Sequence, residues 1–254
     1  MVIFVQKERL DLILKTLQEK QTLTLKEIIE LTDSSRDTAR RDIVKLTENN
    51  LVERNYGGIS LPNTFQKLDS YLQRSDDYVN AKKELAKRAA VFTNQATQVY
   101  LDVSTTVEFM PKYLTNSNLF AVTNSLDIAD QLLRNSPCKT RILGGNLDAE
   151  KRCVTGTRPC LDLENYTFDY AFLSSVGIDE EGIYYAYDDD IDYKAKIRKQ
   201  SKKLVLLLDS SKVNVKHNFK VLNLDQIDYI ITNDNLPRKL ENRLLKSKTQ
   251  MIYI

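Results

Sequence analysis

Ser35, Arg36, Asp37 and Thr38, followed by Arg40 and Arg41, form the first concentration of chemically capable side chains. Arginines in such a run suit an anionic partner, because the planar guanidinium grips either a phosphate oxygen pair or the O6 and N7 edge of guanine. Arg36 and Arg40 stand at i,i+4, a repulsive pair on an isolated helix that becomes favourable once an anion lies opposite. The plainer alternative is a solvated helix face stitched by i,i+4 pairs. A second set is scattered through the remainder: Asp102, then Ser104, Thr105 and Thr106, then Asn124 and Ser125, then Gly144 and Gly145, and finally Lys194 and Lys212. Hydroxyls and free amides at helix starts hold anions, which makes Ser104 to Thr106 the expected phosphate cradle. Lys194 and Lys212 are expected to add countercharge, and Asp102 to accept hydrogen bonds from sugar hydroxyls. Singly, each also reads as a helix cap, a turn or a solvated lysine.

The elements around these residues give them positions. Leu10, Ile13, Leu14 and Leu17 recur at helical spacing and predict a helix over about 7–19. Thr24 and Glu27 form a capping box before a short helix containing Leu25, Ile28, Ile29 and Leu31. After Thr32, Asp33 and Ser34, Ser35 caps a third helix whose Ala39, Ile43 and Leu46 face inward. Together these describe a helix-turn-helix. Arg36, Asp37, Arg40 and Arg41 are then left on its outward arc, with Asp37 and Asp42 expected to orient Arg41. The first turn of such a helix reaches base edges in the major groove. Beyond it, strands at 51–55 and 59–61 flank a glycine turn and predict a β-wing. The expected organisation is a winged helix-turn-helix domain over 1–61, a polar connection over 62–76, and a larger domain over 77–254. In that larger domain a helix over about 77–92 is followed by strand runs at 98–103, 119–123, 140–143, 170–176, 203–209, 228–232 and 250–254. These alternate with amphipathic stretches at 126–134, 191–202 and 237–246, so the fold class is α/β with a mostly parallel sheet. Ligands of such sheets sit at the carboxyl ends of the strands.

Composition narrows the chemistry. The net charge is +2, from 37 basic and 35 acidic residues, so nucleic-acid binding has to rest on where charges point. With three cysteines, no CxxC pair and His217 as the single histidine, neither a disulfide framework nor a zinc finger is expected. No metal or cofactor is expected. The longest aliphatic run, Leu204 to Leu208, is five residues, far below the roughly 20 that span a bilayer. The opening residues are too short an apolar run for a secretory signal, so a cytoplasmic location is expected.

The run Ser35-x-x-Thr38-Ala39-Arg40-Arg41-Asp42, followed by Leu46, Leu51, Arg54 and Gly57-Gly58, closely resembles the signature of the DeoR family of bacterial transcription regulators. The likeness continues through Leu101-Asp102, Ser104-Thr105-Thr106, Val122 to Ser125, Leu143 to Gly145, Gly156, Phe168 to Phe172, Gly177 to Asp179, Lys194 and Asp209-x-Ser211-Lys212. It implies that Arg54, Tyr56 and Gly57 of the wing also touch DNA. It further implies a sensor domain similar in fold to ribose-5-phosphate isomerase, responsive to a phosphorylated sugar or related metabolite. Four departures stand out: Tyr56 where the family usually has His, Ala39 where it has Ile or Val, Ser104 where it has Gly, and the stretch 184–190. That stretch either reshapes specificity or is an acidic helix start. The leading reading is a sequence-specific repressor of sugar-metabolism genes, a homodimer or homotetramer held mainly by residues 77–254, with an operator duplex and a sugar phosphate as partners and no membrane. The competing readings are a sugar-phosphate isomerase with an accessory DNA-binding domain, and a winged module that binds protein.

Overall fold

The computed structural model describes residues 6–20, 22–49, 51–55, 57–60 and 68–254. The chain divides into two compact units, Met1–Lys67 and Leu68–Ile254.

In the first unit, α1 (Gln6–Lys20) leads through β1 (Thr22–Thr24) into α2 (Leu25–Thr32) and α3 (Arg36–Glu48), and β2 (Glu53–Asn55) and β3 (Gly58–Ser60) close it. Each helix start has the expected chemistry. Thr24 and Glu27 form a reciprocal capping box on α2, and the Ser35 hydroxyl accepts from the Thr38 amide at 3.2 Å to start α3. Asp33 turns the chain between them in the left-handed region, at φ 45°. Ile13, Leu17, Ile28, Ala39, Ile43, Leu46 and Val52 pack into one core with Leu23 and Ile59 of the small antiparallel sheet, whose order is β1-β3-β2. Gly58 is required there, since a Cβ would lie 2.1 Å from the carbonyl oxygen of Leu23.

Asp42 departs from expectation. It does not sit beside Arg41 but is fully buried on the inner stripe of α3, gripped by Arg9 of α1 at 2.7 and 3.2 Å. An apolar stripe that includes a carboxylate needs a cation opposite, and the forked contact joins α1 to the recognition-type helix.

The second unit opens with α4 (Tyr71–Ser75) and α5 (Val79–Ala90). Residues 68–76 therefore belong to this unit and not to a polar connection: Tyr71 is buried and its hydroxyl donates to Glu108 at 2.9 Å. Residues 61–67, the rest of the expected connection with the end of the expected wing strand, lie outside the described residues. Then come β4 (Gln98–Leu101), β5 (Phe120–Thr123), α6 (Leu126–Asn135) and β6 (Lys139–Ile142). A hairpin of β7 (Asn146–Asp148) and β8 (Cys153–Thr155) precedes α7 (Thr157–Asp162), β9 (Phe168–Leu173), β10 (Gly177–Asp179) and β11 (Gly182–Tyr185). The chain continues through α8 (Asp189–Lys199), β12 (Ser201–Leu208), β13 (Phe219–Leu222), β14 (Tyr229–Thr232), α9 (Arg238–Lys246) and β15 (Gln250–Tyr253).

All seven strand runs expected from the sequence lie in one parallel sheet of order β15-β14-β12-β9-β4-β5-β6. Alternation divides it into two cores. Tyr100, Val122, Ala171, Leu204 and Leu206 face Ile197 of α8 and Leu240 and Leu244 of α9, while Val99, Ala121, Phe172, Val205 and Leu207 face α5 and α6. The helix expected after Ser104 to Thr106 is a 3-10 segment, Val107–Tyr113, and Pro111 within it supplies no amide donor.

Asp169 holds the opposite, amino-terminal edge of the sheet. It accepts from the Thr97 amide at 2.8 Å and the Gln98 amide at 3.2 Å, and pairs with Lys202 at 2.8 Å. Burial works to raise its pKa, but Lys202 and the amides outweigh that and hold it below the ordinary carboxylate range. A depressed carboxyl contributes stability that is present above its unfolded pKa and lost as pH falls through its folded one. Asp169→Asn is therefore expected to flatten the acid limb of stability against pH, read from denaturant midpoints across the acid range. Asp42→Ala is expected to cost about 2–4 kcal/mol, measured as an earlier transition on thermal or urea unfolding of the full chain.

Candidate functional site

Two sites emerge, one in each unit. On α3 the side chains of Arg36, Asp37, Arg40 and Arg41 are exposed. None of the three arginines has an ion-pair partner among the described residues, so neither Asp37 nor Asp42 orients Arg41. Ser35 and Thr38 share a hydroxyl contact of 2.9 Å at the helix start. Arg54 is exposed on β2, and Gly57 takes φ 99° in the wing turn, where its carbonyl accepts from the Leu25 amide at 3.2 Å. Tyr56 lies outside the described residues. The result is an arginine-bearing face whose positive charge is not neutralised by neighbouring carboxylates, as attraction to phosphate requires.

In the second unit a cavity of about 460 Å³ lies where β4, β5, β9 and β12 end. Ser104, Thr105, Asn124, Lys194 and Lys212 line it. Asp102 is buried just behind, bonded to Lys194. Thr106 is fully buried with its hydroxyl unpartnered, and Ser125 is the buried cap of α6, accepting from the Ile128 amide at 3.2 Å. Gly144 and Gly145 are exposed and do not line the cavity. Ser104 departs from the expected free cradle, since its hydroxyl accepts from the amides of Thr106 at 3.0 Å and Val107 at 3.3 Å.

Lys194 is 2% exposed and its ammonium is held 2.8 Å from Asp102 and 3.1 Å from Asp190. Burial works against the ammonium, but the two carboxylates outweigh it and keep its pKa well above the ordinary lysine value. One cation between two acids leaves an excess negative charge. Burial, with Asp190 adding to it, pushes the Asp102 carboxyl up to about 6 despite Lys194. The rings of Tyr185 and Tyr193 lie 5.2 and 5.5 Å from the ammonium. Tyr100 completes the floor, donating to Asn124 at 2.8 Å and meeting the Tyr193 hydroxyl at 3.0 Å. Lys212 pairs with Asp209 at 3.0 Å and donates to the Ser174 hydroxyl at 2.9 Å.

Sequence reasoning did not find Arg74, Lys151, Ser174, Ser175, Tyr185 and Tyr187 as cavity residues. In the stretch 184–190, Tyr185, Tyr187, Asp189 and Asp190 line the cavity, and Asp188 caps the start of α8. Cys153 also lines the wall, where burial pushes its thiol up to about 12, so that it stays protonated at neutral pH.

Residues 9–65 match the DeoR-like helix-turn-helix domain, and residues 77–234 match the DeoR C terminal sensor domain. The chain is 37% identical to the HTH-type transcriptional repressor GlcR of Bacillus subtilis, over 92% of this chain and 90% of that one. It is 26% identical to the HTH-type transcriptional repressor CsqR of Escherichia coli over 96% and 94% of the two chains. With the glycerol-3-phosphate regulon repressor of Escherichia coli it shares 25% identity over 89% and 90%. A ribose 5-phosphate isomerase from Methanocaldococcus jannaschii overlaps 53% of this chain and 54% of its own at 16% identity and a TM-score of 0.37, an overlap from which no activity transfers.

The pairing around Lys194 gives it a structural load that a solvated countercharge would not bear. Lys194→Met is expected to destabilise the second unit by about 3–5 kcal/mol by leaving two acids without their cation. Adding Asp102→Asn is expected to recover a substantial part, as a double-mutant cycle of urea midpoints will record.

Proposed function

The chain belongs to the DeoR family of transcription regulators, and from that premise we propose that it represses genes of sugar metabolism and is released from its operator by a phosphorylated sugar. The observation that carries the reading is the exposed face of α3, on which Arg36, Arg40 and Arg41 stand without carboxylate partners among the described residues. Set into the major groove, the first turn, Ser35 to Thr38, faces base edges, and Arg40 and Arg41 reach phosphates on either side. Arg54, Tyr56 and Gly57 of the wing contact the backbone alongside. The cavity at the strand ends is the receptor for the effector. Its size and its mixture of hydroxyls, carboxylates and cations suit a monosaccharide phosphate.

One short recognition helix and one wing bury too little surface for high specificity, so the protein acts as a homodimer or homotetramer that reads repeated half-sites, assembled mainly through residues 77–254. It works in the cytoplasm, where operator and sugar phosphate coexist. No helix among the described residues is long and apolar enough to cross a membrane. The effector is bound and not converted, since the relatives of similar length are named as repressors.

Arg40→Ala with Arg41→Ala is expected to weaken operator binding, and the slope of log affinity against log salt should become shallower by about 0.9 for each phosphate contact removed. Fluorescence anisotropy with an operator duplex across a salt series checks this, and unchanged affinity in the folded double variant removes α3 from the interface. A panel of pentose and hexose phosphates titrated into the protein–operator complex should contain at least one that lowers operator affinity. By reciprocity that compound binds the free protein more tightly than the DNA-bound form. Turnover of a panel member at a catalytic rate would instead favour the isomerase reading.

A further inference from the structure

The charges around the cavity are unevenly matched. Lys194 has Asp102 and Asp190, and Lys151 has Asp189 at 2.8 Å. Arg74, Lys82 and Lys212 have between them one carboxylate within ion-pair distance among the described residues, Asp209. Lys82 is 3% exposed and its ammonium donates to the backbone carbonyl of Arg74. Arg74 is half-buried in the cavity wall with its guanidinium 5.7 Å above the Tyr71 ring. Its Nε donates to the Asp69 carbonyl at 2.9 Å, and its two Nη groups have no hydrogen-bond partner among the described residues. Ser175 lines the same cavity at 7% exposure, and its hydroxyl has no hydrogen-bond partner among the described residues.

Burial lowers the pKa of Arg74, and burial together with Lys212 and Arg74 pushes Lys82 down to about 8. Burial lowers Lys212 too, with Asp209 opposing it. Desolvated cations that depress one another are costly unless an anion joins them.

We propose that Arg74, with Lys212 and the Ser175 hydroxyl, receives the anionic group of the ligand. The guanidinium fork is suited to a phosphate, and an unpartnered buried hydroxyl supplies a further donor. The carboxylates around Lys194 repel an anion and are left to accept from neutral hydroxyls, so a sugar phosphate lies with its phosphate toward Arg74 and its polyol toward Asp190 and Asn124. This deepens the sugar-phosphate reading and rests on it for the identity of the ligand, though not for the placement of the anion. Arg74 belongs to α4, the first helix after the DNA-binding unit in sequence, so the bound anion ties that helix to the strand ends of the sheet.

The test is calorimetric titration of wild type, Arg74→Gln, Arg74→Lys and Ser175→Ala with inorganic phosphate and with the tightest binder from the sugar-phosphate panel. Arg74→Gln is expected to weaken both ligands by about tenfold or more, the worth of one charge-assisted contact, with a smaller loss in Arg74→Lys, which keeps the charge but not the fork. Ser175→Ala is expected to lose a few-fold. A far-UV spectrum and melt of each unliganded variant confirm folding, and if Arg74→Gln does not fold, the loss in Arg74→Lys decides. Phosphate affinity equal in wild type and the folded Arg74 variants overturns the placement while leaving the effector reading intact. If no panel member binds wild type, the effector reading fails. Inorganic phosphate alone then decides: binding that is lost in Arg74→Gln supports the placement, and binding that is absent or unaltered overturns it.

Discussion

An ammonium taken out of water has to be met by negative charge, and the meeting of Lys194 with Asp102 and Asp190 is the contact around which the second unit's cavity is built. Asp102 follows β4, while Asp190 and Lys194 lie one turn apart on α8, so the cluster fixes the start of α8 against the end of the central strand. The same helix brings Tyr193 to Tyr100, whose hydroxyl in turn orients Asn124 after β5. The ends of β4 and β5 and the start of α8 are thereby locked together beneath the cavity. A parallel sheet delivers its loops to one edge; the buried ion cluster determines how they pack there.

The charge left over is what separates a receptor from a plain core. Lys194 is over-matched by acids, and Arg74 and Lys212, with Lys82 buried near them, are under-matched, so the walls of one cavity differ in the sign of what they attract. An uncharged sugar would leave the cationic side desolvated and unpaired, and an inorganic anion would leave the carboxylate side without donors. A molecule carrying both an anion and hydroxyls meets both needs. The first unit shows the complementary arrangement: Asp42 is turned inward to Arg9, which takes a carboxylate away from the arginine face of α3 and leaves that face to an external anion.

Much of this was legible in the sequence. The helices of the first unit, the caps of α2 and α3 and the core stripe follow from spacing, and the seven strands of the large sheet follow from strand-like runs that alternate with amphipathic stretches. The small antiparallel strands of the second unit were not legible, because β7, β8 and β10 are three residues long and β10 and β11 are joined by Glu180 and Glu181 instead of a glycine or asparagine turn. Arg74 was missed because α4 spans five residues with one buried side chain, too little for periodicity. A signal was nevertheless there: Ser70 and Gln73 form a capping box around Tyr71. The inward turn of Asp42 was missed, although its place between Ala39 and Leu46 on the buried stripe signalled it.

Ser104 shows what residue type alone leaves out. Hydroxyls before a helical segment suggest amides open to phosphate, yet here the serine's own Oγ occupies the position an anion oxygen would take, accepting from Thr106 and Val107. The segment beyond is a 3-10 turn of seven residues, whose short aligned run of peptide dipoles adds little field. A ligand oxygen entering there has to displace a hydroxyl that is 7% exposed and already makes two bonds. The exchange replaces existing hydrogen bonds with equivalent ones and gains little. At the Arg74 Nη groups and the Ser175 hydroxyl no such bonds have to be broken, because these have no partner among the described residues. The difference in what must first be given up therefore favours the cationic wall over the serine-capped turn as the place where an anion costs least to seat.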